Sequence, residues 1–170
     1  LKFESNKDKH LNAIISLNPN VLNEAREMDK LRELEITEFS LYGMPILLKD
    51  NINTKNMYTT AGAAVLKSNL PTEDAHIVKR LKQSGVLILG KVNLSEWAYF
   101  FCNGCPLGYS AMGGQTLNPY GRKVFETGGS SSGSGVAIAS NYAVAAIGTE
   151  TAGSITSPSS KNSLVGLKPT

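Results

Sequence analysis

Apolar residues recur along this chain in two different rhythms. Val21, Leu22, Ala25, Met28, Leu31 and Leu34 fall at helical spacing, which predicts an amphipathic helix whose apolar face covers a sheet or another helix. Asn18 is its expected cap, with Pro19 in the first turn. Short continuous apolar runs instead predict buried strands over residues 11–17, 46–49 after the Tyr42-Gly43-Met44-Pro45 turn, 86–89, 143–148 and 164–167. Between them, residues 72–84 place Ala75, Val78 and Leu81 on one helical face, Asn93-Leu94-Ser95-Glu96-Trp97 opens another helix, and residues 132–141 form a further one. Residues 104–127, rich in Gly, Pro, Asn and Tyr without a sustained period, predict a long structured loop. Helices alternating with strands predict a layered α/β sheet.

The pattern also bears on chemistry. Gly128-Gly129-Ser130-Ser131-Ser132-Gly133-Ser134-Gly135 stands immediately before and within the helix at 132–141, and Thr151-Ala152-Gly153-Ser154-Ile155 follows the strand at 143–148. A helix of about ten residues climbs ~15 Å and a five-residue strand returns ~17 Å. Ser130 and the Ser154 turn are therefore expected side by side, where strand C-termini meet helix N-termini and ligands of α/β folds usually bind. Lys49 closes the apolar run Ile46-Leu47-Leu48 and reaches the same edge if the strands run parallel.

Ser154 is the candidate nucleophile, because Ala152 and Gly153 let backbone N–H groups point at a developing oxyanion. A serine hydroxyl needs a base. Of the two histidines, His76 falls inside an amphipathic helix and His10 lies near the start, so a Ser-His-Asp triad has little support. Lysine serves only when neutral, which asks for a pKa lowered by about three units, roughly 4 kcal/mol. Burial beside Leu47 and Leu48 pushes that way. Asp50 pushes back unless it faces the other side of the strand, as neighbouring strand residues do. Ser130 would relay the proton from Ser154 to Lys49.

Other readings of the same residues are weaker. A Gly/Ser run is often a linker, but apolar segments flank this one. The nucleotide-binding loop needs Lys-Ser/Thr after its last Gly, and Gly90-Lys91 is followed by Val92. Composition is ordinary for a globular domain, with 170 residues, 41% apolar and 18% charged. A net charge of +3 with dispersed Lys and Arg gives no nucleic-acid footprint, and the apolar stretch at 136–147, broken by Ser140 and Asn141, falls short of a membrane span. Cys102-Asn103-Gly104-Cys105 lacks both further zinc ligands and a thioredoxin-like context, so two free loop thiols are expected. The start at Leu1 rather than Met and the stop just after an apolar run lead to the expectation of a fragment.

At these residues the sequence resembles the amidase signature family, whose centre is a Ser, cis-Ser, Lys triad. The likeness runs from Leu11-Asn12-Ala13 through 43–52, 90–98 and 113–120 to Gly166-Leu167-Lys168-Pro169-Thr170. It implies a layered mixed β-sheet covered by helices, with residues 1–170 as the N-terminal part of a single domain that is incomplete at its C-terminal side. It further implies Ser154 as acyl-enzyme nucleophile, Ser130 after a cis Gly129–Ser130 peptide, Lys49 as base, Ser131 in support of the lysine, and the N–H groups of Thr151, Ala152 and Gly153 as oxyanion hole. The substrate implied is a small-molecule or peptide amide, with no metal or cofactor and no direct nucleic-acid or membrane partner. The triple serine and Thr149-Glu150-Thr151 are closer to the peptide amidase branch than to fatty acid amide hydrolases. The amidotransferase subunit that releases ammonia from glutamine and a non-catalytic fragment are the alternatives. Ala152 stands where many members have Asp or Gly, Thr156 where many have Arg, and Ser132 where many have Gly.

Overall fold

Ile46, Leu47 and Leu48 carry no polar group, so the strand they form must be covered on both faces. In the computed structural model, which describes residues 4, 6, 9–34 and 41–169, they occupy the inside of the sheet. The elements run β1 (Ile14–Leu17), α1 (Val21–Glu33), β2 (Pro45–Lys49), α2 (His76–Gln83), β3 (Leu87–Val92), β4 (Tyr109–Ser110), β5 (Gly114–Gln115), α3 (Ser132–Ala139), β6 (Ala145–Ile147) and α4 (Thr156–Lys161). A four-stranded sheet has the order β1-β3-β2-β6, and β4 and β5 form a separate antiparallel pair. β2 runs parallel to both β3 and β6, while β1 is antiparallel to β3. The sheet is mixed, as the family resemblance implied.

Alternation along β2 divides the core. Leu47 packs with Val92, Val136 and Ala137 on the α3 side, whereas Ile46 and Leu48 pack with Val78, Val86 and Ile88 on the α2 side. Leu47 and Val136 are fully buried, and burial of such a side chain contributes about 1.5–3 kcal/mol. By the same alternation Lys49 points to the α3 side and Asp50 to the α2 side. α3 can approach the sheet because it begins with small residues: a Cβ at Gly133 would stand 2.5 Å from the backbone N and O of Asn93. The Gly133 amide donates to that same oxygen at 3.0 Å.

Several expected elements differ. The strand expected at 11–17 starts at Ile14, after Asn12 at a positive φ of 52°. α1 starts at Val21 with Asn20, not Asn18, as its cap. The Asn18 side chain instead accepts from the Asn20 amide at 3.0 Å and donates to the Ile88 carbonyl at 3.0 Å, pinning the turn to β3. The apolar face of α1 is left largely uncovered, with Leu22 68% and Leu34 66% exposed.

α2 starts at His76 rather than residue 72, since Asp74 and Ala75 are held to the 53–55 segment by hydrogen bonds. β3 continues past residue 89 to Val92 and carries Lys91 inside. The helix expected from Asn93 is only a 3-10 turn at Glu96–Tyr99, with Trp97 and Ala98 left-handed at φ 52° and 55°. The Asn93 side chain holds Asn12, Leu94, Ser110 and Gly114 instead.

No strand forms at 164–167, where Val165 and Leu167 are exposed, and Thr170 lies outside the described residues. The short helix α4, with Pro158 tolerated in its first turn, gave no apolar rhythm to read. Cys102 and Cys105 are not free thiols but a disulfide: the turn between them brings their Cα atoms to 5.8 Å, within bridging reach. No helix among the described residues is long and apolar enough to cross a membrane.

Gly133→Ala is expected to cost about 1–3 kcal/mol in denaturant-induced unfolding, as overpacking against backbone does. A cost below about 0.5 kcal/mol would show that α3 does not press on the end of β3.

Candidate active site

The side chain of Lys49 leaves the end of β2 on the α3 face and is completely buried. Its Nζ donates to Ser130 Oγ at 2.6 Å, Thr149 Oγ1 at 3.0 Å and the Thr149 carbonyl at 3.2 Å. Three oxygens receive the ammonium, yet burial penalises its charge and brings the pKa down from 10.5 to about 7, with the Glu150 carboxylate pulling the other way. Burial thus brings the uncharged form within reach of neutral pH. That is the state a base requires.

Asp50 does not spoil this arrangement. It faces the α2 side, where its carboxylate accepts from the Thr60 amide at 3.0 Å and from the Thr60 hydroxyl, and its other oxygen lies 3.9 Å from Lys91 Nζ. Burial pushes the Asp50 carboxyl up, opposed by Thr60 and Lys91. Lys91 is buried as well, donating to the Ile52 carbonyl at 2.6 Å and Thr59 Oγ1 at 2.8 Å, and burial holds its pKa at about 8 against the pull of Asp50. The sheet thus keeps two lysines on opposite faces, and the carboxylate belongs to the second.

Ser130 follows a cis Gly129–Ser130 peptide, and its carbonyl accepts from the Ser95 amide at 3.0 Å. Ser131 touches Thr149 rather than Lys49: its hydroxyl lies 3.3 Å from both the amide and the carbonyl of Thr149. Ser131 and Lys49 thus meet only through Thr149. The Ser131 amide donates to the Ser154 carbonyl at 3.1 Å, which ties the candidate nucleophile to the same cluster. The Ser154 hydroxyl itself takes part in no hydrogen bond among the described residues. Catalytic contacts often close only around substrate.

The turn that carries Ser154 is held by Glu150. Its carboxylate accepts from the amides of Gly153 at 2.8 Å, Ile155 at 2.6 Å and Thr156 at 2.9 Å. The Thr156 and Ile155 amides above all hold this carboxyl down at about 2. Of the three amides expected to face an oxyanion, that of Gly153 is therefore occupied. Those of Thr151 and Ala152 make no hydrogen bond among the described residues.

Sequence reasoning missed Thr149, Glu150, Lys91 and Asn51, whose Nδ2 donates to Thr149 Oγ1 at 2.9 Å. A lysine inside the apolar stretch 86–92 was the available signal for Lys91. Asn51 also lines a cleft of about 350 Å³ with Asn53, Asn69 and Trp97. No group of three or more His, Cys, Asp or Glu side chains among the described residues is placed to hold a metal ion.

A mixed sheet that brings a buried lysine against a serine following a cis peptide defines a class of proteins, and residues 2–170 match its family: this chain belongs to the Amidase family. A probable amidase of Arabidopsis thaliana is 47% identical over 162 residues, covering 94% of this chain and 31% of the relative. The native peptide amidase of Stenotrophomonas maltophilia superposes with a TM-score of 0.94 at 49% identity, over 99% of this chain and 35% of that one. From Exiguobacterium sibiricum, the first of the glutamyl-tRNA(Gln) amidotransferase subunits is 37% identical over 163 residues, 96% of this chain and 32% of the relative. The chain thus spans about a third of the length of the relatives it matches.

In protein carrying ¹³C-labelled lysine, the Lys49 Cε resonance is expected to titrate near pH 7. A midpoint close to 10.5 would show a solvated lysine.

Proposed function

We propose that this chain carries the catalytic residues of an amidase that hydrolyses a linear carboxamide or amide C–N bond through a seryl ester. The observation that carries the reading is the 2.6 Å contact between buried Lys49 Nζ and Ser130 Oγ, with Ser131 linked to the Ser154 backbone. Ser154 Oγ attacks the carbonyl carbon and gives its proton to neutral Lys49 by way of Ser130. The N–H groups of Thr151 and Ala152 receive the oxyanion, a type of contact worth roughly 3–4 kcal/mol per donor. Collapse breaks the C–N bond, and the leaving ammonia or amine takes the proton back through Ser130. Water then adds to the ester by the same route and releases the acid. The steps as written use no metal or cofactor.

The likeness to the Stenotrophomonas peptide amidase supports a peptide amide as one substrate type. The likeness to the Exiguobacterium protein supports a second reading, in which glutamine is the amide and the ammonia is passed on to a charged transfer RNA through partner subunits. Glutaminase activity together with copurifying partners would favour that second reading.

Incubation with a fluorophosphonate is expected to add one phosphonyl group to Ser154, read by intact mass. Ser154→Ala should abolish the adduct, and Lys49→Ala should slow it by about 10²-fold or more. Labelling that persists in Ser154→Ala, or that is unchanged in Lys49→Ala, would overturn this assignment.

A further inference from the structure

We propose that Glu150 is the positioning residue of this centre, its carboxylate fixing the turn that carries Ser154 by accepting the main-chain N–H groups of Gly153, Ile155 and Thr156. The inference rests on the amidase reading of the site and deepens it. Three amides converge on one side chain, and the Thr156 hydroxyl lies 3.3 Å and 3.4 Å from the same two oxygens. Hydrogen bonds to a charged acceptor are shorter and stronger than those between neutral partners, so this one side chain sets the shape of residues 153–156. Thr156 occupies the position where the family resemblance leads one to expect arginine. Here the residue at that position gives the carboxylate its hydroxyl and its main-chain amide.

The residue before Glu150 is bound just as closely to the other half of the site. Thr149 offers its carbonyl and hydroxyl to Lys49 and both backbone groups to Ser131. Thr149 and Glu150 are therefore a two-residue joint: the first holds the base and the second holds the nucleophile's turn. A shift of either moves the distance that the proton must cover. Misplacement of about 1 Å in such a geometry costs on the order of 10²-fold in rate.

Glu150 also acts on Lys49 through space, since its negative charge favours the ammonium. The other charges around that lysine are accounted for. On its own strand Asp50 is turned to the opposite face, toward Lys91 of β3. α3 and β6, the elements packed beside it, contain no ionisable side chain. Removing the charge at 150 therefore leaves Lys49 with burial alone, which favours the neutral form. The pH at which the lysine begins to work as a base moves down, not up. A residue that merely packed the turn would leave that midpoint where it was.

The test compares wild type, Glu150→Gln and Glu150→Asp by fluorophosphonate labelling rate between about pH 5 and pH 10, with backbone amide exchange at residues 153, 155 and 156. Glu150→Gln is expected to label about tenfold more slowly or worse, with the acid-side midpoint lowered by about half a unit or more and amide protection lost. Glu150→Asp should keep the wild-type midpoint while labelling more slowly. Coincident midpoints in wild type and Glu150→Gln, or unchanged protection, would overturn the proposal. Should wild type take no label, the hydrolase reading falls, and the exchange data still decide whether Glu150 holds the turn. If Glu150→Gln does not fold, Glu150→Asp decides by exchange: full retention of protection with its shorter side chain overturns the proposal.

Discussion

The structure turns on one buried ammonium group at the end of a central strand. Lys49 is surrounded by hydrocarbon on the strand side and by three oxygens at its tip, and each part of the fold contributes to that setting. β6 must run parallel to β2 for Thr149 to arrive beside it. α3 must begin with residues small enough to lie against the end of β3, so that Ser130 and Ser131 meet the same point. The opposite face must absorb Asp50, which Lys91 and Thr60 do. Loss of any of these would return the lysine to water or pair it permanently with a carboxylate.

Much of this was legible in the residues themselves. Ile46-Leu47-Leu48 announces a strand covered on both faces, and the polar residue that ends it is conspicuous. The Gly/Ser run followed by a short helix and strand brings Ser130 back toward the Ser154 turn by length alone, and the Ser131 amide does meet the Ser154 carbonyl. The strand-parity argument for Asp50 also holds. What escaped was decided by contacts distant in sequence. Nothing near Asn93 states that its side chain will be spent on Asn12 and Gly114, or that the chain after it will turn left-handed at Trp97. α4, with its serines and a proline, has no apolar stripe. The Cys102–Cys105 bridge depends on the shape of a turn that spacing does not specify.

Thr149 and Glu150 bind to the two halves of the site from neighbouring positions. Thr156, where the family resemblance leads one to expect arginine, brings a main-chain amide to the Glu150 carboxylate beside those of Gly153 and Ile155. The turn needs a fixed acceptor and donors within reach of it.

The reach of the lysine across the chain has a consequence for how the molecule folds. Lys49 meets Ser130 over 81 residues and Thr149 over 100, and contacts of such separation form slowly because loop closure precedes any gain. Until then the lysine is an ordinary hydrated cation. Between its native value of about 7 and its free value of 10.5, the unfolded chain holds a proton that the native one releases, so closure of the site expels a proton to solvent in that window. Stability therefore rises with pH across the window: the cost of burying this lysine is absent above the free value and fully present below the native one. Within that window the burial of Lys49 and its deprotonation are one event, and acid opposes both.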